Sequence, residues 1–373
     1  MAGGGGEITG EDGSVADLGE WGVIAALKAR MPAGGLTSVG IGDDSAVVGT
    51  PSGSVVAAVD LLIEGRHFRR EWSSAYDIGV KAAARSLADI AAMGAVNTAL
   101  LVALATPGTL PARWATDLAS GLAAEATRAG AGIVGGDTAR ADSVTLSVTA
   151  LGDLEGRSPV LRSGARPGDV IAVAGRLGHS AAGLALLEAG AAGPDEPRRV
   201  SATDEPRRVS ATDGPRRART AGRRSGALAE LVAAHLRPAP PYDAGPEAAR
   251  LGATAMIDVS DGLLADLGHV AAASGVLINL NSSALAPDTA LSEAAARLPV
   301  PESSSRTTAG FSPQSIALTW VLTGGEDHPL AAAFPPGMVL PERWRLIGEV
   351  REGSGVTVDD APHEGPAGWQ HFR

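Results

Sequence analysis

The chain has 373 residues, a formal net charge of −11, 45% hydrophobic and only 3% aromatic residues, and no cysteine. That length carries two α/β domains with cores built from Ala, Val, Leu and Ile, and the acidic balance argues against nucleic acid or another polyanion as partner. The lack of cysteine excludes disulfides, thiolate metal sites and a cysteine nucleophile and suits a cytoplasmic protein, while no apolar run approaches the ~20 residues of a membrane span.

Residues 1–17 read as a loose, glycine-rich leader without the basic and apolar regions of a signal peptide. A short helix follows over 20–30, with Trp21, Ile24 and Leu27 on one stripe. The stretch Gly40-Ile41-Gly42-Asp43-Asp44-Ser45 places two carboxylates in a glycine-flanked turn before a β-branched run. Such a turn suits a hard cation, because Mg2+ takes one or two carboxylates and leaves its other positions to water and phosphate. A solvated Asp turn is the plainer alternative, but acidic residues recur at the ends of apolar runs, at Asp60, Asp89, Asp137, Asp258 and Asp261.

The run 55–60 predicts a buried strand ending in Asp60, followed by a polar loop with His67 and Phe68. A helix is expected over 76–93, with Asp89 in its last turns, where the helix dipole disfavours an anion and so favours a cation partner. A strand over 99–105 and a helix over 111–129 lead to Ile133-Val134-Gly135-Gly136-Asp137-Thr138, a strand running into a double-glycine turn with a carboxylate at its tip. A strand over 143–151 closes this half. Lys28 and Lys81 are the only lysines, so no Gly-x-x-x-x-Gly-Lys-Ser/Thr loop exists, and any phosphate must be handled by metals and arginines.

After a turn at Arg162-Ser163-Gly164, a strand over 170–174, a glycine turn and a helix from Ser180 could cradle an anion, although an ordinary turn between strand and helix explains them better. Residues 196–213 repeat Glu-Pro-Arg-Arg-Val-Ser-Ala-Thr-Asp twice, a Pro/Arg/Ser unit without apolar period that predicts a disordered surface insertion over about 193–224. A helix over 227–235 and a strand over 254–258 follow. Ser260 is placed as N-cap of a helix running to Ala273, with Asp261 in its first turn, and Asp258 is left at the strand end. A strand over 316–322 is expected to deliver Gly324-Gly325-Glu326-Asp327, with strands over 344–350 and 356–358 ahead of a tail ending Trp369-Gln370-His371-Phe372.

Taken in order, Gly42-Asp43-Asp44, the segment 60–68, Ala88-Asp89-Ile90-Ala91-Ala92-Met93-Gly94, Gly135-Gly136-Asp137-Thr138, Arg162-Ser163-Gly164, Asp258-Val259-Ser260-Asp261-Gly262, Gly324-Gly325-Glu326-Asp327 and the terminal Trp369-Gln370-His371-Phe372 resemble the thiamine-monophosphate kinase family over about residues 18–373. The resemblance implies an α/β (α+β) two-domain fold of the aminoimidazole-ribonucleotide-synthetase-like type. It divides into an N-terminal domain over 18–155, whose sheet pairs in a homodimer, and a C-terminal α/β domain over 156–373. It implies transfer of the γ-phosphoryl group of ATP to thiamine phosphate, with Mg2+ held by Asp44, Asp60, Asp89, Asp137, Asp258 and Asp261. Nucleotide contacts would come from Gly136, Asp137, Arg162 and Ser260, and contacts to thiamine phosphate from His67, Glu326 and Trp369. No membrane partner and no covalent intermediate are implied. Two departures stand out: Ala58-Val59 replaces a Ser/Thr pair before Asp60, removing a hydroxyl ligand, and His328-Pro329 replaces Tyr-Glu after the Gly-Gly-Glu-Asp element. A binding protein of the same ancestry without turnover, or another ATP-dependent enzyme of the superfamily, is the competing expectation.

Overall fold

The computed structural model describes residues 14–32, 34–39, 41, 46–190, 215–298 and 312–369. The acidic turn with Asp44, the repeat over 196–213 and the end of the tail at 370–373 lie outside the described residues.

The first half opens with α1 (Val15–Lys28), capped by Ser14 and Asp17 in a reciprocal capping box. The helix starts inside the stretch expected to be a loose leader, because Ser14 supplies the cap. A small hairpin of β1 (Thr37–Val39) and β2 (Val47–Val48) leads to β3 (Val56–Ile63), α2 (Ala75–Ala92), β4 (Val96–Thr106), α3 (Ala112–Arg128), β5 (Gly132–Arg140) and β6 (Thr145–Asp153). Four strands form a sheet in the order β3-β6-β4-β5, with β4 and β5 parallel across the α3 crossover and the other pairs antiparallel. Helices α2 and α3 cover one face, where Ile78, Leu87, Ile90, Leu118 and Leu122 pack on Leu62, Leu100, Leu146 and Val148. The opposite face of β3 leaves Val59, Leu61 and Ile63 exposed.

The second half contains β7 (Val170–Ala174), α4 (His179–Glu188), α5 (Pro215–Leu236), α6 (Ala244–Arg250), β8 (Ala255–Asp258), α7 (Leu263–Ser274), β9 (Leu277–Leu280), a 3-10 turn (Ser282–Leu285), α8 (Thr289–Arg297), α9 (Pro313–Thr323), β10 (Leu330–Phe334), β11 (Trp344–Arg351), β12 (Gly355–Val358) and β13 (Ala361–Pro362). Seven strands follow the order β13-β12-β9-β11-β7-β10-β8. Strands β7, β8 and β10 are buried on both faces, as their unbroken apolar runs require. Ala172, Ala174, Met256, Leu330, Ala332 and Phe334 join the core of the first half, while Ile171, Val173, Ile257, Ala331 and Ala333 face the helices of the second. The first core therefore continues across the expected boundary near residue 155 and fixes α2 against the second sheet.

Four expectations are corrected. The run 316–322 lies in α9, because Ser312 and Ser315 form a capping box and Pro313 stands at the first turn, so local capping outweighs the β-branched composition. Asp60 is not a strand end: β3 pairs with β6 from Val56↔Gly152 through Ile63↔Thr145 and carries Asp60 in its middle. Asp137 is not at a turn tip either, since the glycine pair is inside β5, with Val102↔Gly136 and Ala103↔Asp137 in register. Ser260 does not cap α7, whose N-cap is Gly262; the Asp266 carboxylate accepts from the Asp261 and Gly262 amides at 3.0 and 3.1 Å instead.

Candidate active site

Helix α2 carries Lys81, Arg85 and Asp89 at successive four-residue steps, so the three share one face. Asp60 lies beside that face, accepting from Ser86 Oγ at 2.8 Å, with an Arg85 guanidinium nitrogen 3.8 Å away. From the second sheet, Asp258 at the end of β8 is buried and reaches the same place. Burial, then the charges of Asp258 and Asp60, push the Asp89 carboxyl up to about 8, outweighing Arg85 and Arg162. One turn into α7, burial and then Asp258 raise Asp266 to about 7, despite the two amides it accepts from. The structure thus brings together Asp60, Asp89, Asp258 and Asp266, with Asp261 next to them in chain.

This concentration of carboxylates is electrostatically unfavourable by itself, since like charges in a low-dielectric cleft resist simultaneous ionisation. An all-oxygen donor set of this kind fits a hard divalent cation such as Mg2+. Among the described residues no group of three or more carboxylates or imidazoles encloses a metal ion unaided.

The other expected site residues occupy distinct positions. Asp137 is exposed on β5, and the register sets it in the row of Ala103, Ser147 and Leu61, one step from the row of Gly136, Val102, Val148 and Asp60. By the alternation of the pleat the two aspartates therefore sit on opposite faces. Gly136 has a packing reason, because a Cβ there would stand 1.8 Å from the Val102 carbonyl oxygen. Arg162 is exposed in the turn before β7, where its carbonyl accepts from Ser274 Oγ at 2.9 Å and its charge acts on Asp89. The Ser260 carbonyl accepts from the Glu326 amide at 2.8 Å, and a Cβ on Gly325 would meet the same oxygen at 2.3 Å, so the loops after β8 and α9 press together. Trp369 donates its backbone amide to the Asp261 carbonyl at 2.9 Å and leaves its indole 57% exposed beside that loop. His67, in the loop after β3, accepts from the Ile63 amide through Nδ1 at 3.0 Å.

Glu326 is held from the other half of the molecule. Lys81 Nζ lies 2.5 Å from its Oε2 and an Arg85 nitrogen 3.0 Å from its Oε1. Burial would raise this carboxyl, but the two cations bring it down to about 2. The backbone there is strained, with φ of 65° at Glu326 and 52° at His328. Behind it, Ser180 Oγ and His235 Nδ1 are 3.0 Å apart, and burial, followed by the charge of Lys81, lowers His235 to about 3 and keeps it neutral. Asp327, raised to about 6 by burial, accepts from the Ser180 amide at 2.8 Å.

Reading the sequence missed Lys81, Arg85 and Asp266. The four-residue spacing of Lys81, Arg85 and Asp89 was a usable signal, as was a lysine within an alanine-rich helix. Ala58-Val59 also resolves: Ala58 is half-buried on the face of Asp60, whereas Val59 is 65% exposed on the other. Position 58, not 59, is the one from which a hydroxyl could reach the carboxylates.

The family described as AIR synthase related protein, N-terminal domain, matches residues 42–154. The thiamine-monophosphate kinase of Mycobacterium tuberculosis (strain ATCC 25618 / H37Rv) is 44% identical over 365 residues, covering 97% of this chain and 94% of that relative. The Corynebacterium glutamicum enzyme of the same name is 37% identical over 367 residues, covering 96% and 95%. Among solved structures, AaThiL complexed with AMPPCP and TMP superposes with a TM-score of 0.69 at 30% identity, covering 95% of this chain and 98% of that one. Thiamine-monophosphate kinase from Stenotrophomonas maltophilia K279a gives 0.68 at 29% identity, covering 91% and 95%. Full-length identity to these enzymes, together with the carboxylate cluster between α2 and β8, places the chain in the thiamine-monophosphate kinase family.

Proposed function

We propose that this protein transfers the γ-phosphoryl group of ATP directly to thiamine phosphate, yielding thiamine diphosphate and ADP. The observation that carries the reading is the convergence of Asp60, Asp89 and Asp258 from β3, α2 and β8. Donor and acceptor are both anions, and phosphoryl transfer needs in-line positioning and charge neutralisation more than a nucleophilic side chain. Mg2+ held by Asp60, Asp89, Asp258 and Asp261, with Asp44 as a further ligand, would supply that neutralisation; Asp137, on the opposite face of the sheet, does not join this group. Arg162 offers a fork of donors to the nucleotide's phosphates, with Ser260 and Gly136 as the nucleotide's other contacts. His67, Glu326 and Trp369 face the acceptor, whose thiazolium is cationic and suits an exposed indole face.

The exposed apolar face of the first sheet supports a homodimer in which two such sheets pack together. Among the described residues no helix is long and apolar enough to cross a membrane, and a cysteine-free chain suits the reducing cytoplasm.

The test is ADP release that depends on thiamine phosphate and Mg2+, with Asp258→Asn as control. The variant should keep the fold and lose most turnover; turnover at the unsubstituted rate would refute the role given to the cluster.

A further inference from the structure

Arg85 stands where three acidic elements meet. One terminal nitrogen donates to Glu326 Oε1 at 3.0 Å, the other lies 3.8 Å from Asp60 Oδ1, and its charge acts on Asp89 one turn along the same helix. Its Nε is buried and has no partner among the described residues. A guanidinium has five N–H donors in a rigid fork, and only one contact here is a close one. Its side chain is 13% exposed, so its unused donors are largely shielded from bulk water. A buried donor without a partner is costly. The geometry therefore fits a ligand that brings oxygens to this point.

Both oxygens of Glu326 are engaged by cations of the opposite half, Lys81 and Arg85. Lys81 is 2% exposed and cannot itself meet a ligand. Its ammonium holds the carboxylate, and the carboxylate in turn fixes the guanidinium. Two cations share the Glu326 carboxylate, while Asp60 and Asp89 also act on Arg85, so an anion is favoured beside the guanidinium once those two carboxylates are countered by a bound cation.

We propose, resting on the kinase reading above, that Arg85 is a catalytic residue that binds the transferring phosphoryl group, with Lys81 and Glu326 as the residues that position it. As the acceptor phosphate oxygen forms the new P–O bond, the bond from the γ-phosphorus to the bridging oxygen breaks and its electron pair leaves on ADP. Charge on the three equatorial oxygens is what Nε and the second terminal nitrogen of Arg85 are placed to meet. A terminal nitrogen of Arg85 stands 3.8 Å from Asp60 Oδ1; with the Asp60 charge countered by a bound cation, the guanidinium would be free to serve the phosphate.

Arg85→Gln and Arg85→Lys test this in thiamine-phosphate-dependent ADP release, with thermal unfolding as the check on folding. Arg85→Gln should lower kcat about 100-fold, with KM for ATP and thiamine phosphate and the Mg2+ concentration for half-maximal rate changed less than about threefold. Arg85→Lys keeps the ion pairs but not the fork, and should stay at least about tenfold down in kcat. Binding of ADP with aluminium fluoride and thiamine phosphate, a mimic of the planar phosphoryl group, should weaken in Arg85→Lys while ADP alone binds as before. Lys81→Met should show the same selective loss, and Lys81→Arg should restore it. A kcat within twofold for Arg85→Gln, or equal binding of the fluoride complex by Arg85→Lys and the unsubstituted protein, would overturn the proposal and leave Arg85 a counter-charge to Asp60. An unsubstituted protein without thiamine-phosphate-dependent ADP release would instead defeat the kinase reading itself.

Discussion

His328 Nδ1 stands 3.1 Å from Asp258 Oδ2, with both side chains all but sealed from solvent. The residue at which the sequence leaves the family pattern thus holds one of the proposed metal ligands. Hydrogen bonds to a ligating carboxylate orient it, and their loss costs 10–100-fold in metal affinity. His328→Ala should raise the Mg2+ requirement by about tenfold and destabilise the fold by about 1–3 kcal/mol through the unpaired buried carboxylate. His328→Asn, which tolerates the left-handed backbone and can donate to Asp258, should recover most of both. A magnesium titration with equilibrium unfolding decides; an unchanged Mg2+ response in the alanine variant would remove His328 from the site.

Helices α2 and α3 cross at backbone contact. A Cβ on Gly121 would lie 2.0 Å from the Tyr76 carbonyl oxygen, and one on Gly79 would lie 2.2 Å from that of Leu118. Gly121→Ala must push the helices apart, at a cost of about 2–3 kcal/mol. Because α2 carries Lys81, Arg85 and Asp89, kcat should fall as well. Chemical denaturation measures the first effect, and a variant as stable as its parent would contradict the close crossing.

Val59 and Leu61 are 65% and 53% exposed on the uncovered face of the first sheet. Val59→Asp should leave protomer stability within about 0.5 kcal/mol, as for other exposed substitutions, while placing a charge in the proposed dimer contact. Light scattering after size exclusion should report monomers. Dimers that persist unweakened would locate the self-association elsewhere.

Asp288 caps α8 by accepting from the Leu291 amide at 2.9 Å and meets His179 Nε2 at 2.8 Å. The hydrogen bond from His179 is the largest influence, and together with the helix amide it overcomes partial burial and holds Asp288 at about 2. Since the folded value lies below the unfolded one of about 3.9, the stabilisation is present above pH ~4 and is lost as the pH falls toward ~2. Asp288 is half-exposed, so solvent screening limits the effect, and Asp288→Ala should cost about 1 kcal/mol at pH 7. Unfolding midpoints from pH 7 down to 2 should show that difference shrinking; a constant difference would mean the charge contributes nothing.

Local chemistry alone specified much of this molecule. The apolar runs at 170–174 and 255–257 were legible as strands, though not that both their faces are buried, and Ser74 with Asp77 forms the capping box that starts α2 one residue from where the pattern placed it. The aspartates that end or interrupt such runs were visible as a set, because a charge next to a buried run needs a reason. Period and capping, however, report which face a residue occupies on its own element, not what that face meets. Arg85 and Glu326 are 241 positions apart, and Asp60, Asp89 and Asp258 lie on three elements of two sheets. Their meeting depends on α2 docking against the second sheet through the shared core of Leu87, Ala91, Met256 and Leu330. The same docking decides that Asp60 faces the cleft while Val59 and Asp137 face away, since a pleat turns neighbours to opposite sides and only the packed helices determine which side is the interior.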